Sequence, residues 1–125
     1  MGEPIEGGAL APLQTSDVAL LTSFKRDGAG VGTPVAIGVH GDRAYFTTRS
    51  RSWKVKRIAR NPAVTLAPSD VMGTVTGETV HGTARRLPEA DVKAMRKGIE
   101  YHVWRFIYQA AYLDEPVTYE VSPAS

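Results

Sequence analysis

Apolar and polar residues alternate along the first half of this chain in a way that predicts several short strands. The segment DVALLTSF is followed by KRDGAGVG, in which Asp27-Gly28 is typical of a hairpin turn. TPVAIGVH then runs to a second turn at Gly41-Asp42, and RAYFTT supplies a third strand. Three consecutive strands joined by hairpins predict an antiparallel meander rather than a doubly wound parallel sheet.

A short helix is predicted directly after the third strand. Its apolar residues recur at helical spacing and form one stripe, made of Val55, Ile58 and Ala59. Either Ser50 or Ser52 is suited to cap the helix N-terminus, and Asn61-Pro62 ends the helix. We therefore expect an amphipathic helix with most of its basic side chains on the outer face.

The second half of the chain predicts three further strands and a second helical region. AVTLAPS is a fourth strand, TVTGETVHGTARRL is a long fifth strand bent at its glycines, and PVTYEV is a sixth. Six short strands of this kind predict a small antiparallel barrel, because closure removes exposed sheet edges. Pro88 opens the helical region, which Gly98 is able to divide, and one apolar face consists of Val92, Met95, Ile99, Val103, Phe106 and Ala110. We expect Ile99, Val103 and Phe106 to pack on the barrel or to contribute to a dimer.

The length and composition of the chain predict one domain. Residues 1–17 are acidic and rich in glycine and proline, so we expect a flexible leader there and the barrel domain in residues 18–125. No apolar run approaches the roughly 18–20 residues that a membrane span needs, so no membrane partner is expected. The chain has no cysteine, which excludes thiolate catalysis and favours a cytoplasmic location.

Basic residues concentrate in one short segment, although the formal net charge of the chain is only +2. The cluster consists of Arg49, Arg51, Lys54, Lys56, Arg57 and Arg60. It begins in the turn before the helix, where free N–H groups and the positive end of the helix dipole favour a bound phosphate. Cations at that end oppose the dipole unless an anion is bound. The segment therefore predicts an anion site, with a solvated basic helix face as the alternative.

Nucleic acid is not expected to be the anionic partner. Only one aromatic residue, Trp53, lies among the basic residues, so no platform for stacking successive bases is present. None of the sequence signatures of the common nucleic-acid-binding folds occurs in the chain.

The chain shows no self-contained catalytic motif. GAGVG lies in a predicted hairpin and opens no helix, and there is neither a Walker loop nor a G-x-S-x-G motif. The three histidines lack the spacing of metal ligands, so no metal site is expected: His40, His81 and His102. Asp114 and Glu115 are expected to be solvated in a turn. Catalytic residues stay unassigned, and a cofactor would carry the chemistry of an enzyme.

Three segments carry a resemblance to a known family: ALLTSFKRDGAGVGTPV, GDRAYFTTRSRSWKVKRIARNPAVTLAPSD and GTARRL. From Val18 to Val121 the chain resembles the split β-barrel flavin and deazaflavin oxidoreductases related to pyridoxamine 5′-phosphate oxidase. Within them it most resembles a small actinobacterial group that uses coenzyme F420. The resemblance implies a mainly β fold, a six-stranded antiparallel split β-barrel with a short helix after the third strand and a helical segment before the last. It also implies a homodimer that holds the cofactor between two barrels and acts on a small-molecule substrate.

The resemblance also implies where the cofactor lies. The family holds the phosphate-bearing part of the cofactor on the turn after the third strand and on the first helical turn, here Thr48, Ser52, Trp53 and Lys54. Further cofactor contacts are expected from the rest of the basic segment, namely Arg49, Ser50 and Arg57. The edge of the ring system would be held by the second strand, here Thr33, Pro34, Val35 and Ala36.

Two features bear on the choice of cofactor. Thr33 stands where the flavin enzymes of vitamin B6 oxidation have an arginine, so that reaction is not expected. F420 carries a phospholactyl–oligoglutamate tail, which is more anionic than the single phosphate of FMN, and guanidinium groups match both phosphate and carboxylate. The arginines that suit such a tail are Arg49, Arg51, Arg57 and Arg60. We expect an F420-dependent oxidoreductase that passes a hydride to an unsaturated or conjugated organic acceptor. An FMN-binding oxidoreductase and a non-enzymatic F420 carrier stay open.

Overall fold

The computed structural model of the protein describes residues 8–95 and 98–124, with side chains of residues 98–102 outside that description. A 3-10 helix, Ala11–Leu13, comes first. It is followed by β1 (Val18–Phe24), β2 (Gly30–His40), β3 (Arg43–Arg49), α1 (Trp53–Arg60), β4 (Ala63–Pro68), β5 (Val80–Arg86), α2 (Glu89–Met95), α3 (Gly98–Tyr112) and β6 (Pro116–Pro123).

The strands close into an antiparallel barrel with the order β1-β2-β3-β6-β5-β4. Hairpins join β1 to β2 and β2 to β3, as the alternation in the sequence predicts. β6 closes the barrel between β3 and β5, and it places Thr118 opposite Thr47 of β3. The predicted fold class is confirmed, namely a mainly β, six-stranded antiparallel barrel with a helix after the third strand and helices before the last.

Alternate residues of the strands fill the barrel interior, and α1 packs onto the same core. Phe46 and Tyr119 stack inside it with ring centroids 5.2 Å apart. From α1, Val55 and Ile58 are buried in this core, whereas Ala59, predicted to share their stripe, is exposed. Burying such aliphatic side chains contributes about 1.5–3 kcal/mol each. This packing fixes α1 on the barrel and leaves the first turn of the helix at the end of β3.

Part of the predicted leader belongs to the packed unit. Leu10, which precedes the 3-10 helix, and Leu13, its last residue, are buried in the barrel core. The core therefore includes residues that precede Val18. The remaining residues of the predicted leader, 1–7, lie outside the described residues.

The fifth strand is shorter than the sequence predicts. It begins at Val80, and the preceding residues 74–79 are all exposed. An isolated bridge between Ser69 and Val75, a hydrogen bond from Thr76 N to Pro68 O and hydrogen bonds between Asp70 and Thr74 hold that segment beside the end of β4. Because no side of the segment is buried, its alternation of residue types does not produce a barrel strand.

The second helical region consists of α2 and α3, and α3 begins at Gly98, where the sequence allows a division. Val92 is buried against Leu87, as predicted for its face. Val103 and Phe106 are exposed instead of packing on the barrel, so their contribution to a dimer stays a prediction. Ile99 is among the side chains outside the description. No helix in residues 8–95 or 98–124 has the length and apolarity to cross a bilayer.

Candidate functional site

A groove of about 800 Å³ lies between the barrel strands β2 and β3 and the helices α2 and α3. Its volume is in the range of sites that hold a small molecule or a cofactor, about 300–1,000 Å³. Six of the predicted cofactor-binding residues line it: Pro34, Val35, Ala36, Thr48, Arg49 and Lys54. The two segments that the family resemblance assigns to the ring and to the phosphate therefore both contribute residues to one groove.

The barrel wall of the groove is built from small side chains of β2. Side chains of a strand alternate between its two faces, so Pro34 and Ala36 are exposed while Val35 is buried in the core. Gly38 continues the exposed side of the strand along the groove. A flat molecule is therefore able to approach the backbone of β2 closely. Thr33 faces the same way as Val35 and does not line the groove.

Two cations, Lys54 and Arg49, lie together at one end of the groove. Burial lowers the pKa of the half-buried Lys54 ammonium, and the nearby guanidiniums of Arg49 and Arg57 lower it further. Within residues 8–95 and 98–124, neither Lys54 nor Arg49 forms a salt bridge with a carboxylate. A partly desolvated ammonium beside an exposed guanidinium favours a bound anion, which would relieve the repulsion between the two cations.

The start of α1 adds polar groups to this cationic end. Ser52 occupies the N-cap position, and its side chain forms no capping hydrogen bond with the first turn of α1, a part of the chain that the structure describes. Its Oγ lies 3.5 Å from Thr48 Oγ1, at the limit of a hydrogen bond; Thr48 lines the groove, whereas Ser52 does not. We name Thr48, Arg49 and Lys54, together with the first turn of α1, the anion end of the groove.

Several predicted site residues are not brought to the groove. Trp53 is 70% exposed, and Lys56 Nζ lies 4.5 Å from the centre of its ring. Arg57 donates a hydrogen bond to Ser23 Oγ on β1, so its guanidinium is engaged there. The Ser50 hydroxyl donates to a carboxylate of Asp114. These residues are neighbours in sequence of Arg49 and Lys54, which line the groove, but their own side chains do not line it.

Residues of α2 and α3 form the helical wall of the groove, and the α3 part consists of aromatic residues that the sequence did not single out. Trp104, Tyr108 and Tyr112 recur every four residues on α3, with successive ring centroids 6.2 and 4.7 Å apart. Arg49 Cζ lies 5.7 Å from the centre of the Tyr112 ring, so the anion end adjoins this wall. Burial is the main cause that raises the pKa of Tyr108 to about 12, so this phenol is a hydrogen-bond donor at neutral pH. The spacing of four residues is the signal that points to such a wall.

No metal centre is found in the part of the chain that the structure describes. Within those residues no three side chains among His, Asp and Glu come together as potential ligands. The side chains that line the groove include cations, hydroxyls and aromatic rings.

The comparisons with known proteins agree with this architecture. Residues 7–124 match the family described as pyridoxamine 5′-phosphate oxidase, and the chain belongs to this family. The predicted relationship is thereby confirmed at the level of the family. No match is found among curated proteins.

Solved structures share the fold at low sequence identity. An F420 reductase superposes with a TM-score of 0.63 and 18% identity, over 96% of this chain and 95% of that one. General Stress Protein 26 from Bacillus anthracis gives 0.66 and 14%, over 96% and 89% of the two chains. An FAD-binding protein from Mesorhizobium loti gives 0.65 and 14%, over 94% and 88%. These likenesses extend to the whole barrel and its helices.

Proposed function

We propose that this protein is an F420-dependent oxidoreductase of the actinobacterial group, and that it binds coenzyme F420 in the groove. A cytoplasmic homodimer is the form in which it would act. The observation that carries the proposal is the anion end, where Lys54 and Arg49 lie beside the start of α1 and form no salt bridge with a carboxylate of residues 8–95 and 98–124. Anionic groups of a cofactor tail would supply the missing counter-charge.

The choice of F420 rests on the kind of anion that the groove suits. Lys54 acts as a point charge for phosphate, whereas the guanidinium of Arg49 is able to bind phosphate or carboxylate with two parallel hydrogen bonds. A tail with a phosphate and several carboxylates would use both cations, while the single phosphate of FMN would use fewer contacts. This difference supports F420 over FMN.

The remainder of the groove suits the reactive part of the cofactor. When bound, F420 supplies the hydride chemistry, in which an unsaturated acceptor gains a hydride from the reduced cofactor and a proton. Pro34 and Ala36 would leave room for a ring against β2. Trp104 and Tyr108 would exclude water from the opposite side, and Tyr108 would keep its proton as a hydrogen-bond donor.

Exposed apolar residues support the homodimer. Val103, Phe106 and Ile107 of α3 are all exposed, although apolar side chains of this size are mostly covered when they cluster. A second subunit would cover such a surface and enclose the open side of the groove. Light scattering at micromolar concentration is expected to give a dimer, and a monomer would contradict the shared groove.

The test of the cofactor is a pair of titrations. F420 and FMN are added to the purified protein, and binding is followed by quenching of cofactor fluorescence. We expect F420 to bind more tightly than FMN. Arg49→Ala is expected to reduce this difference in affinity, because the Arg49 guanidinium would contact the additional anionic groups of the F420 tail, which FMN lacks. Tight binding of FMN with none of F420 would overturn the assignment. Binding of F420 without oxidation of the reduced cofactor by any conjugated acceptor would instead indicate a carrier.

A further inference from the structure

Asp114 lies two residues after the end of α3 and is buried, with 8% of its surface exposed. The expectation of a solvated side chain at this position is wrong. Its carboxylate accepts hydrogen bonds from Ser50 Oγ, from Arg51 N at 3.1 Å and from Glu115 N at 2.7 Å. These bonds stabilise its ionised form. A buried carboxylate with three donors is held in one orientation.

The same contact joins two distant parts of the chain. Ser50 and Arg51 form the turn between β3 and α1, while Asp114 lies between α3 and β6. A backbone hydrogen bond of 2.9 Å from Ser50 N to Glu115 O runs beside the carboxylate contacts. Two consecutive residues after α3, Asp114 and Glu115, therefore hold the turn through side-chain and backbone hydrogen bonds.

The position of this turn decides where the anion end lies. Arg49 directly precedes Ser50, and the turn leads into Ser52 and the first turn of α1. A buried negative charge close to an anion site repels the ligand, so attraction of the ligand does not account for the carboxylate. The geometry of the Asp114 carboxylate explains its presence there, because an acceptor held in one orientation keeps the turn in a fixed place.

We propose that Asp114 is a positioning residue for the anion end of the groove. Its carboxylate fixes the turn at Ser50 and Arg51, so that Arg49 and the start of α1 are preorganised for an anionic ligand. It also joins this turn to the end of α3, whose Tyr112 lies under Arg49. The inference rests on the proposed function in that the anionic ligand is the tail of the cofactor.

The two roles of a carboxylate give changes of opposite sign. If Asp114 acted only through its charge, Asp114→Asn would remove a repulsion and tighten anion binding. If Asp114 positions the turn, the same variant weakens anion binding, because an NH2 donor replaces one of the two oxygens and the remaining oxygen cannot hold both Ser50 and Arg51 as the carboxylate does. Glu115→Gln is the matched control, because it removes the same charge from the neighbouring residue, whose exposed side chain pairs with Arg105.

The experiment measures the dissociation constants of F420 and of inorganic pyrophosphate for folded wild type, Asp114→Asn, Ser50→Ala and Glu115→Gln. We expect Asp114→Asn to weaken both ligands about tenfold and Ser50→Ala about threefold, with Glu115→Gln unchanged or tighter. The double variant Ser50→Ala/Asp114→Asn is expected to lose less affinity than the sum of the two single losses, since both variants disturb the contact between Ser50 and Asp114. A role in global stability alone would leave these constants unchanged under conditions where each variant is folded.

Each contrary result has a defined meaning. Unchanged or tighter binding by Asp114→Asn overturns the inference, as does an equal loss in Glu115→Gln. If Asp114→Asn does not fold, unchanged binding by Ser50→Ala overturns it. Binding of pyrophosphate but not F420 by the wild type would remove the proposed cofactor while leaving the positioning role testable with pyrophosphate. Failure of the wild type to bind either ligand overturns both.

Discussion

Arg57 Nε donates a hydrogen bond of 2.7 Å to Ser23 Oγ, a hydroxyl on β1 of which only 1% is exposed. One turn later, Arg60 Nη2 donates to the Phe24 carbonyl at 3.1 Å. Two arginines of the basic segment thus attach α1 to the end of β1. Their expected contacts with a cofactor tail stay a prediction, but their contacts with the barrel are part of the fold.

Arg57→Ala is therefore expected to destabilise the protein. It removes a hydrogen bond from a charged donor and leaves a buried hydroxyl without this partner, at a cost of about 1–3 kcal/mol. Urea unfolding measures the change. Lys56→Ala is the control on the same helix, because Lys56 is exposed and its ammonium lies over the Trp53 ring rather than on β1. Equal unfolding free energies for the two variants would contradict this role of Arg57.

Leu113 offers a site where a substitution is expected to stabilise the protein. It follows α3 with φ of 55°, a left-handed conformation that costs an L side chain about 1–2 kcal/mol, and it is 78% exposed. Leu113→Gly removes this strain and loses little burial, while the greater freedom of glycine in the unfolded chain offsets part of the gain. We expect a net gain of about 0.5–1 kcal/mol in urea unfolding. A lower stability of Leu113→Gly would contradict the strain at this position.

The raised pKa of Tyr108 predicts a loss of stability at high pH. Its folded pKa of about 12 lies above the value of 10.0 in an unfolded chain, so unfolding releases a proton in that interval. The stability is intact below pH 10 and falls as the pH rises from 10 towards about 12. Tyr45 and Tyr119 also have raised pKa values and act in the same direction.

Tyr108→Phe isolates this contribution. Unfolding free energies at increasing pH are expected to fall less steeply for Tyr108→Phe than for the wild type, and phenolate absorbance reports the ionisation directly. Identical profiles for the two proteins would show that Tyr108 ionises as in the unfolded chain.

Local patterns predict most of the barrel but not the face of α3 that packs on it. Hairpin turns and alternation are properties of neighbouring residues, so the meander and its turns follow from the sequence. On α3, however, apolar residues occur on more than one face. The predicted face holds Val103 and Phe106, whereas Trp104 and Tyr108 line the groove. Helical periodicity does not distinguish a face that covers the barrel from one that is exposed.

The basic segment predicts where an anion site would lie, but it does not predict which of its side chains line the groove and which bind the barrel. Lys54 and Arg49 line the groove, while Arg57 binds β1. The pairing of Ser50 with Asp114 spans 64 positions and depends on β6 lying beside β3. Contacts of this kind arise from the closure of the barrel, and no local pattern records them.

The most direct test of the anion end is the affinity of F420 for Lys54→Ala and Lys56→Ala at low and at high salt. Lys54→Ala is expected to lose a charge-assisted contact of about 1.5–3 kcal/mol, which corresponds to about ten- to a hundredfold in affinity. Lys56→Ala is expected to lose little, and its effect should vanish at high salt, because this exposed ammonium lies over Trp53 outside the groove. Equal losses in the two variants would show a diffuse cationic surface and contradict a specific anion site at Lys54.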